Sequence, residues 1–156
     1  MIMRENVACQ GPARDYERLL AIAGLFKGPF SIDWLVDLLT GKRLSQVLAQ
    51  LDQGMKEAWL VKKGPGDYCF ADDKKRLHWA GRLAGEEERL LHRHIADILM
   101  VELEDDERKA HAVAHHLIHI NNDTEGCRCL VKAGDLYLQA FQTEEALQCY
   151  RKVLDD

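Results

Sequence analysis

The amino-acid sequence predicts an all-α fold with one small β-hairpin. Apolar residues recur every three or four positions through most of the 156 residues, which is the spacing of helices with one buried face. Only three prolines and eleven glycines interrupt these patterns. The spacing changes around Gly64-Pro65-Gly66-Asp67, where the chain is expected to turn between two short strands. A chain of this length can bury a sizeable core.

The first part of the chain is predicted to hold three helices after an N-terminal arm. Residues 1–14 show no apolar periodicity and are predicted to be an arm or linker. Helices are then expected over Tyr16–Phe26, Ile32–Thr40 and about Ser45–Ala58. Ser31 is a good N-cap for the second of them. The apolar stripe of the third helix is predicted at Val47, Leu48, Leu51 and Met55.

A β-hairpin is predicted directly after the third helix. Two short apolar runs, Trp59–Lys63 and Tyr68–Ala71, flank the turn sequence that contains glycine, proline and aspartate. Three helices followed by a hairpin is the element order of a winged helix-turn-helix. Residues 15–72 are therefore predicted to form a winged-helix domain.

Residues 73–156 are predicted to form helical hairpins. Asp72 or Asp73 is expected to cap the first helix of this part, and a second helix is expected over about 86–103. The remaining helices are expected at Arg108–Ile120, at Glu125–Ala140 after a cap at Asp123 or Thr124, and from Thr143, which is itself predicted as an N-cap.

The last two predicted helices carry the spacing of a tetratricopeptide repeat. Small residues let two antiparallel helices approach closely, and aromatic residues fill the gaps that remain. Phe141 occupies the position between the helices where such repeats usually have glycine. Because a repeat needs neighbours to bury its faces, the chain is predicted to be a piece of a longer protein. The residues that keep the spacing are Leu130, Gly134, Tyr137, Ala146 and Tyr150.

Several stretches, taken in order, resemble the region that follows the nucleotide-binding core in bacterial signal-transduction P-loop ATPases, among them the maltose-regulator-like transcription activators. The resemblance implies a winged helix, then helical hairpins that grade into tetratricopeptide repeats, and a role in relaying or gating a signal. The P-loop itself is absent, because Gly41-Lys42 is followed by Arg43 instead of serine or threonine. The stretches are Leu19–Leu39, Leu48–Leu60, Tyr68–Leu77, Leu91–Leu99, Ala114–Leu117 and Ala133–Leu154.

Composition excludes several kinds of partner and compartment. The net charge of -5 argues against non-specific attraction to nucleic acid or to an anionic membrane. No stretch approaches the roughly 20 apolar residues of a membrane span. The five irregularly spaced cysteines do not form a disulfide framework, which favours a reducing compartment. A cytoplasmic protein with no membrane partner is expected.

No catalytic, metal-binding or cofactor-binding residue is predicted. No nucleophile elbow, kinase motif or paired carboxylates in a glycine-rich loop are present, and a helix cap explains Asp72-Asp73. His111, His115 and His119 recur every four residues, and such pairs can chelate zinc, but no acidic or cysteine ligand completes a metal signature. Packing or solvated histidines are the favoured interpretation, and the chain is predicted not to be an enzyme.

Binding to DNA is the alternative that the predicted winged helix raises. In DNA-binding winged helices the third helix enters the major groove and the wing touches phosphate. Asp52 and Glu57 cancel much of the charge of that helix here, and phosphate neutralisation normally dominates affinity. DNA binding is therefore the second hypothesis. Its candidate residues are Lys42, Arg43, Gln46, Gln50, Lys56, Lys62 and Lys63.

The leading hypothesis is a non-catalytic protein-interaction and regulatory segment of a larger signal-transduction ATPase or transcriptional regulator. Stacked tetratricopeptide helices leave a concave face that accepts a peptide or a partner helix. The expected partner is another protein or another domain of the same polypeptide. Candidate partner-binding residues are Tyr137, Gln139, Gln142 and Gln148, although packing is the favoured role for Tyr137.

Overall fold

A computed structural model describes residues 12–156 of the chain. These residues are mostly helical and include a small antiparallel sheet of three strands, as the sequence predicted in outline. They divide into two compact units, a first unit that ends at Ala84 and a second unit of Gly85–Asp156. The predicted arm lies outside the described residues except for its last three positions.

The first unit contains four helices and three strands in its described part. Ser31 caps the second helix as predicted, because its Oγ accepts a hydrogen bond from the backbone N–H of Asp33 at 3.2 Å. The first helix begins at Pro12, before the predicted Tyr16, since proline is favoured in the first turn of a helix. The elements are α1 (Pro12–Ala23), β1 (Phe30–Ser31), α2 (Ile32–Leu38), α3 (Leu44–Lys56), β2 (Leu60–Gly64), β3 (Asp67–Phe70) and α4 (Asp73–Ala80).

The sheet contains one strand that the sequence analysis missed. β1 pairs antiparallel with β3, with Phe30 opposite Tyr68, and β3 pairs with β2 as the predicted hairpin, so the strand order is β1-β3-β2. Two residues are too few to show a period-two pattern, and for this reason β1 gave no sign in the sequence. Gly66 turns the hairpin at a φ of 76°, a value that favours glycine.

The α4 helix belongs to the first unit. The backbone of Gly24, just after α1, lies against the backbone of α4, and Arg76 donates from Nη1 to the Gly24 carbonyl at 3.0 Å. Trp79 is 6% exposed and meets the ring of Trp59 edge to face at 5.2 Å. The first unit therefore ends at Ala84 instead of the predicted residue 72, because these contacts hold α4 to the elements before it.

The second unit is a run of four helices that pack consecutively. Asp106 and Asp123 cap their helices through side-chain oxygens that accept backbone N–H groups. Thr143 was predicted as an N-cap but is the first helical residue, and Gln142 takes the cap position without a side-chain hydrogen bond. The helices are α5 (Gly85–Glu102), α6 (Glu107–Leu117), α7 (Thr124–Gln139) and α8 (Thr143–Asp155).

The α7–α8 pair is closely packed around small residues. Leu130, Ala133 and Ala146 are fully buried or nearly so. A Cβ atom at Gly134 would lie only 2.7 Å from Cε1 of Tyr150, so the ring occupies the space that the glycine leaves. The Tyr150 hydroxyl donates to Oδ1 of Asp135 at 2.6 Å and holds the ring there.

Candidate interaction surfaces

The exposed side of α3 is more apolar than the sequence analysis expected. Val47, Leu51 and Gly54 face the core, whereas Leu44 is 50% exposed and Leu48 is 44% exposed. We call Leu44 and Leu48, one helical turn apart, the α3 surface. Leu48 was predicted to lie in the buried stripe, but it follows Val47 by one residue and is therefore rotated about 100° away from it.

Three of the seven residues proposed for DNA binding are held by contacts within the first unit. Lys42 forms an ion pair with Asp15 of α1. Lys56 pairs with Asp52 at 3.1 Å along α3. Oε1 of Gln46 accepts the backbone N–H of Arg43 at 2.9 Å, an interaction of the kind seen in capping boxes. These contacts reduce the charge and the hydrogen-bonding groups that α3 and the residues just before it offer to a DNA duplex.

The other four candidates differ in exposure. Gln50 is half-buried, whereas Arg43, Lys62 and Lys63 are exposed. Lys62 and Lys63 lie on β2, next to Val61, which is 38% exposed. Lys56 is exposed as well but is paired with Asp52, so three exposed cations of the seven-residue set remain to neutralise phosphate, and so few phosphate contacts give weak binding to DNA.

The candidate partner-binding residues of the second unit fall into two groups. Tyr137 is half-buried, and its ring stacks on the ring of His111 in α6, with centroids 4.1 Å apart and planes 8° from parallel. Burial raises the pKa of the Tyr137 hydroxyl. Its contacts thus join α6 to α7. The exposed candidates are Gln139, Gln142 and Gln148.

The last two helices of the second unit and the turn between them also carry exposed apolar side chains. Leu138 on α7 and Leu147 on α8 are 51% and 41% exposed. Phe141 and Leu154 are 93% and 85% exposed. The sequence analysis missed the three leucines as surface candidates because, in a helix pair, periodicity alone does not distinguish a face that packs on the partner helix from one that stays exposed.

Phe141 also holds an unusual backbone conformation. Its φ is 61°, in the left-handed region that glycine adopts without steric cost. We expect Phe141→Gly to stabilise the second unit by about 1 kcal/mol relative to Phe141→Ala, because both remove the ring but only glycine relieves the strain. Urea unfolding followed by circular dichroism measures the difference. Equal stability of the two variants would contradict a left-handed residue at this position.

Two open grooves lie in the second unit. The larger, of about 500 Å³, runs along α7 beside Val131 and Asp135. The smaller, of about 330 Å³, is bordered by Met100, Lys109 and Cys129, and burial raises the pKa of the Cys129 thiol. A half-buried thiol whose pKa is raised is a weak nucleophile. The grooves offer mixed apolar and charged contact area.

Together these features define a predominantly helical protein with a small antiparallel sheet and apolar surface patches on helices. Comparison with protein-family models, with curated proteins and with solved structures found no match for the chain. Among residues 12–156, no helix is both long enough and apolar enough to span a bilayer. The same described residues contain no group of three or more histidine, cysteine, aspartate or glutamate side chains arranged to hold a metal ion.

Proposed function

We propose that the chain is a non-catalytic protein-interaction and regulatory segment of a larger signal-transduction ATPase or transcriptional regulator. The observation that carries this proposal is the α3 surface. Leu44 and Leu48 stand about half exposed on the helix that a DNA-binding winged helix would use to read bases. An apolar surface at this place favours contact with another protein surface.

The order of elements in the first unit supports a winged helix as the scaffold. The helices α1, α2 and α3, with β1 between the first two and the β2–β3 hairpin after the third, follow that order. The strand β1 completes a three-stranded sheet beside the hairpin. In the second unit, the glycine at position 134 packed against Tyr150 supports a tetratricopeptide-like pair.

The energies favour a protein partner over DNA. When a partner covers the two half-exposed leucines, each contributes about 1 kcal/mol to the free energy of binding, because full burial of a leucine contributes about 1.5–3 kcal/mol. DNA would have to gain its affinity from Arg43, Lys62 and Lys63, because exposed Lys56 is paired with Asp52 on α3. Because the whole chain carries a net charge of -5, long-range attraction to DNA is weak.

The test uses two reciprocal variants of the full chain. Leu44→Glu/Leu48→Glu is expected to weaken binding to the P-loop module of the longer protein at least about tenfold, because two charges replace the buried apolar contact. Lys62→Glu/Lys63→Glu is expected to leave that binding within about twofold. Titration calorimetry with the P-loop module, located from the reading frame that encodes the chain, gives both affinities.

Binding of the chain to duplex DNA would contradict the proposal if its affinity depends on salt as contacts between exposed cations and phosphates predict. Neutralisation of three phosphates by Arg43, Lys62 and Lys63 predicts an affinity that falls about 40-fold between 50 and 200 mM salt. Fluorescence anisotropy with a labelled duplex measures this dependence. Binding with that salt dependence, lost in Lys62→Glu/Lys63→Glu and kept in Leu44→Glu/Leu48→Glu, would establish the DNA hypothesis in its place.

A further inference from the structure

Four histidines and a glutamate from separate parts of the second unit lie together beside α5 and α6. His92 on α5 and His116 on α6 are each only 2% exposed. His115 precedes His116 on α6, and His119 follows that helix. Glu88 lies one turn before His92 on α5. Histidines that are this deeply buried are held by specific partners, because an unpaired buried polar group destabilises the fold.

The two buried rings form a direct hydrogen bond. Nδ1 of His92 lies 2.8 Å from Nδ1 of His116, a distance that requires one nitrogen to donate and the other to accept. Nε2 of His92 lies 3.5 Å from Oε1 of Glu88. Nε2 makes no hydrogen bond, but it faces this carboxylate, which can only accept, so we assign the proton of His92 to Nε2. His116 then donates its Nδ1–H to His92, and both rings are neutral.

Further imidazoles surround this pair. The ring of His119 stacks on His92 with centroids 4.4 Å apart, and the ring of His115 lies 4.9 Å from that of His116. Lys152 of α8 adds a positive charge near His119, and Glu88 adds a negative charge near His92 and His119. Each proton that the outer rings take up therefore raises the cost of a charge on the inner pair.

We propose that the His92–His116 pair is a proton-sensitive latch that ties α5 to α6 at neutral pH and weakens in mild acid. A first additional proton places a positive charge in a site sealed from water. A second places two N–H groups face to face across a 2.8 Å contact, which destroys the hydrogen bond. An apolar pair at these positions would join the helices at any pH, so the sensitivity comes from the histidines.

A zinc ion between the two rings does not explain the contact. Zinc binds histidine nitrogens at about 2.0–2.1 Å with tetrahedral angles, which holds the two nitrogens about 3.3 Å apart. The observed separation of 2.8 Å is that of a hydrogen bond. The two rings as they stand are thus joined by a hydrogen bond, which is the condition that a proton-sensitive latch requires.

The direction of the pH effect follows from the burial of the pair. Burial, reinforced by His119 and His115, lowers the pKa of His92 from 6.5 to about 3, and burial likewise holds the pKa of His116 well below 6.5. In the opened state both rings regain ordinary values near 6.5. Opening therefore takes up protons below pH 6.5, and the closed state is fully favoured above that pH and loses stability as the pH falls.

Peptide-resolved hydrogen exchange of the full chain tests the latch. The measured quantity is the protection factor, the ratio of intrinsic to observed exchange rate, for amides of α5 and α6. Uptake of even one proton on opening predicts that this factor falls at least about 30-fold between pH 7.5 and pH 5.0. His92→Leu/His116→Leu, which keeps an apolar pair of similar size, is expected to lose most of this dependence and to keep only the part that comes from His119, whose pKa burial also lowers.

Two comparisons make the result decisive. His94→Gln, on the exposed side of α5, removes a histidine outside the pair and is expected to keep the pH dependence of the unsubstituted chain. In the unsubstituted chain, proton NMR is expected to show neutral Cε1–H shifts for His92 and His116 down to pH 5.5. Titration of either ring between pH 6 and 7, or an unchanged pH dependence in the double leucine variant, would overturn the proposal.

Discussion

Replacing Gly24 by valine is expected to destabilise the first unit by about 3 kcal/mol, the upper part of the range for overpacked sites. A Cβ at Gly24 would lie 3.0 Å from the backbone nitrogen of Ala80 and 3.1 Å from the carbonyl oxygen of Arg76. Backbone atoms of α4 cannot rotate away as a side chain can. The helix must move from α1, and the hydrogen bond from Arg76 to the Gly24 carbonyl is stretched with it.

Urea unfolding followed by tryptophan fluorescence measures this loss, because all three tryptophans of the chain lie in the first unit. The matched control is Gly81→Val. Gly81 also follows a helix and has a φ of -92°, but a Cβ there meets no atom within 4 Å. We expect the control to change stability by less than about 1 kcal/mol. Equal losses at both sites would show that α1 and α4 do not approach as closely as described.

The second large effect is expected from Gly134→Leu in the second unit. The new side chain begins 2.7 Å from Cε1 and 3.0 Å from Cζ of Tyr150, so the ring must leave its place. Overpacking of about 3 kcal/mol and a lost hydrogen bond to Asp135 of about 1 kcal/mol are partly offset by about 1 kcal/mol of helix propensity. The expected net destabilisation is about 3 kcal/mol.

A double-mutant cycle with Tyr150→Ala isolates the cause of this effect. Without the ring, Gly134→Leu has space and retains its gain in helix propensity, so its cost should fall to about 1 kcal/mol or less. Urea unfolding followed by circular dichroism provides the four stabilities. If Gly134→Leu costs the same with tyrosine and with alanine at position 150, the predicted close packing of α7 and α8 is wrong.

The helices were the part of the fold that the sequence predicted best. The periodicity and the cap residues placed α2, α3 and the helices of the second unit within a few residues of their observed ends. Ser31 and Asp123 cap as expected. These features depend on interactions between residues at most four positions apart, and such interactions are visible in a short window of sequence.

The errors share one physical cause. The strand β1 exists because Phe30 pairs with Tyr68, and α4 joins the first unit because Arg76 and Trp79 contact Gly24 and Trp59. Leu48 remains exposed because the core packs only against the adjacent stripe of α3. Each outcome depends on a contact between residues distant in sequence, and a local pattern contains no information on it.

The candidate sites also combine features that the sequence showed with contacts that it did not show. The residue types predicted for DNA contact were visible in the sequence, but the ion pairs of Lys42 with Asp15 and of Lys56 with Asp52 were not part of that prediction. The sequence analysis considered the spacing of His111, His115 and His119 and did not single out His116. Its partner, His92, lies on another helix, and only the packing of α5 against α6 brings the two nitrogens to 2.8 Å.

The sequence by itself determined where the chain becomes helical, where it turns at Gly66, and that no known catalytic motif accompanies these elements. Only the tertiary structure decided which leucines of α3 face outward, which glycines are crowded and which histidines share a proton. The reason is that helix formation depends mainly on neighbours along the chain, whereas burial, charge pairing and proton sharing depend on the surfaces that distant elements present to one another.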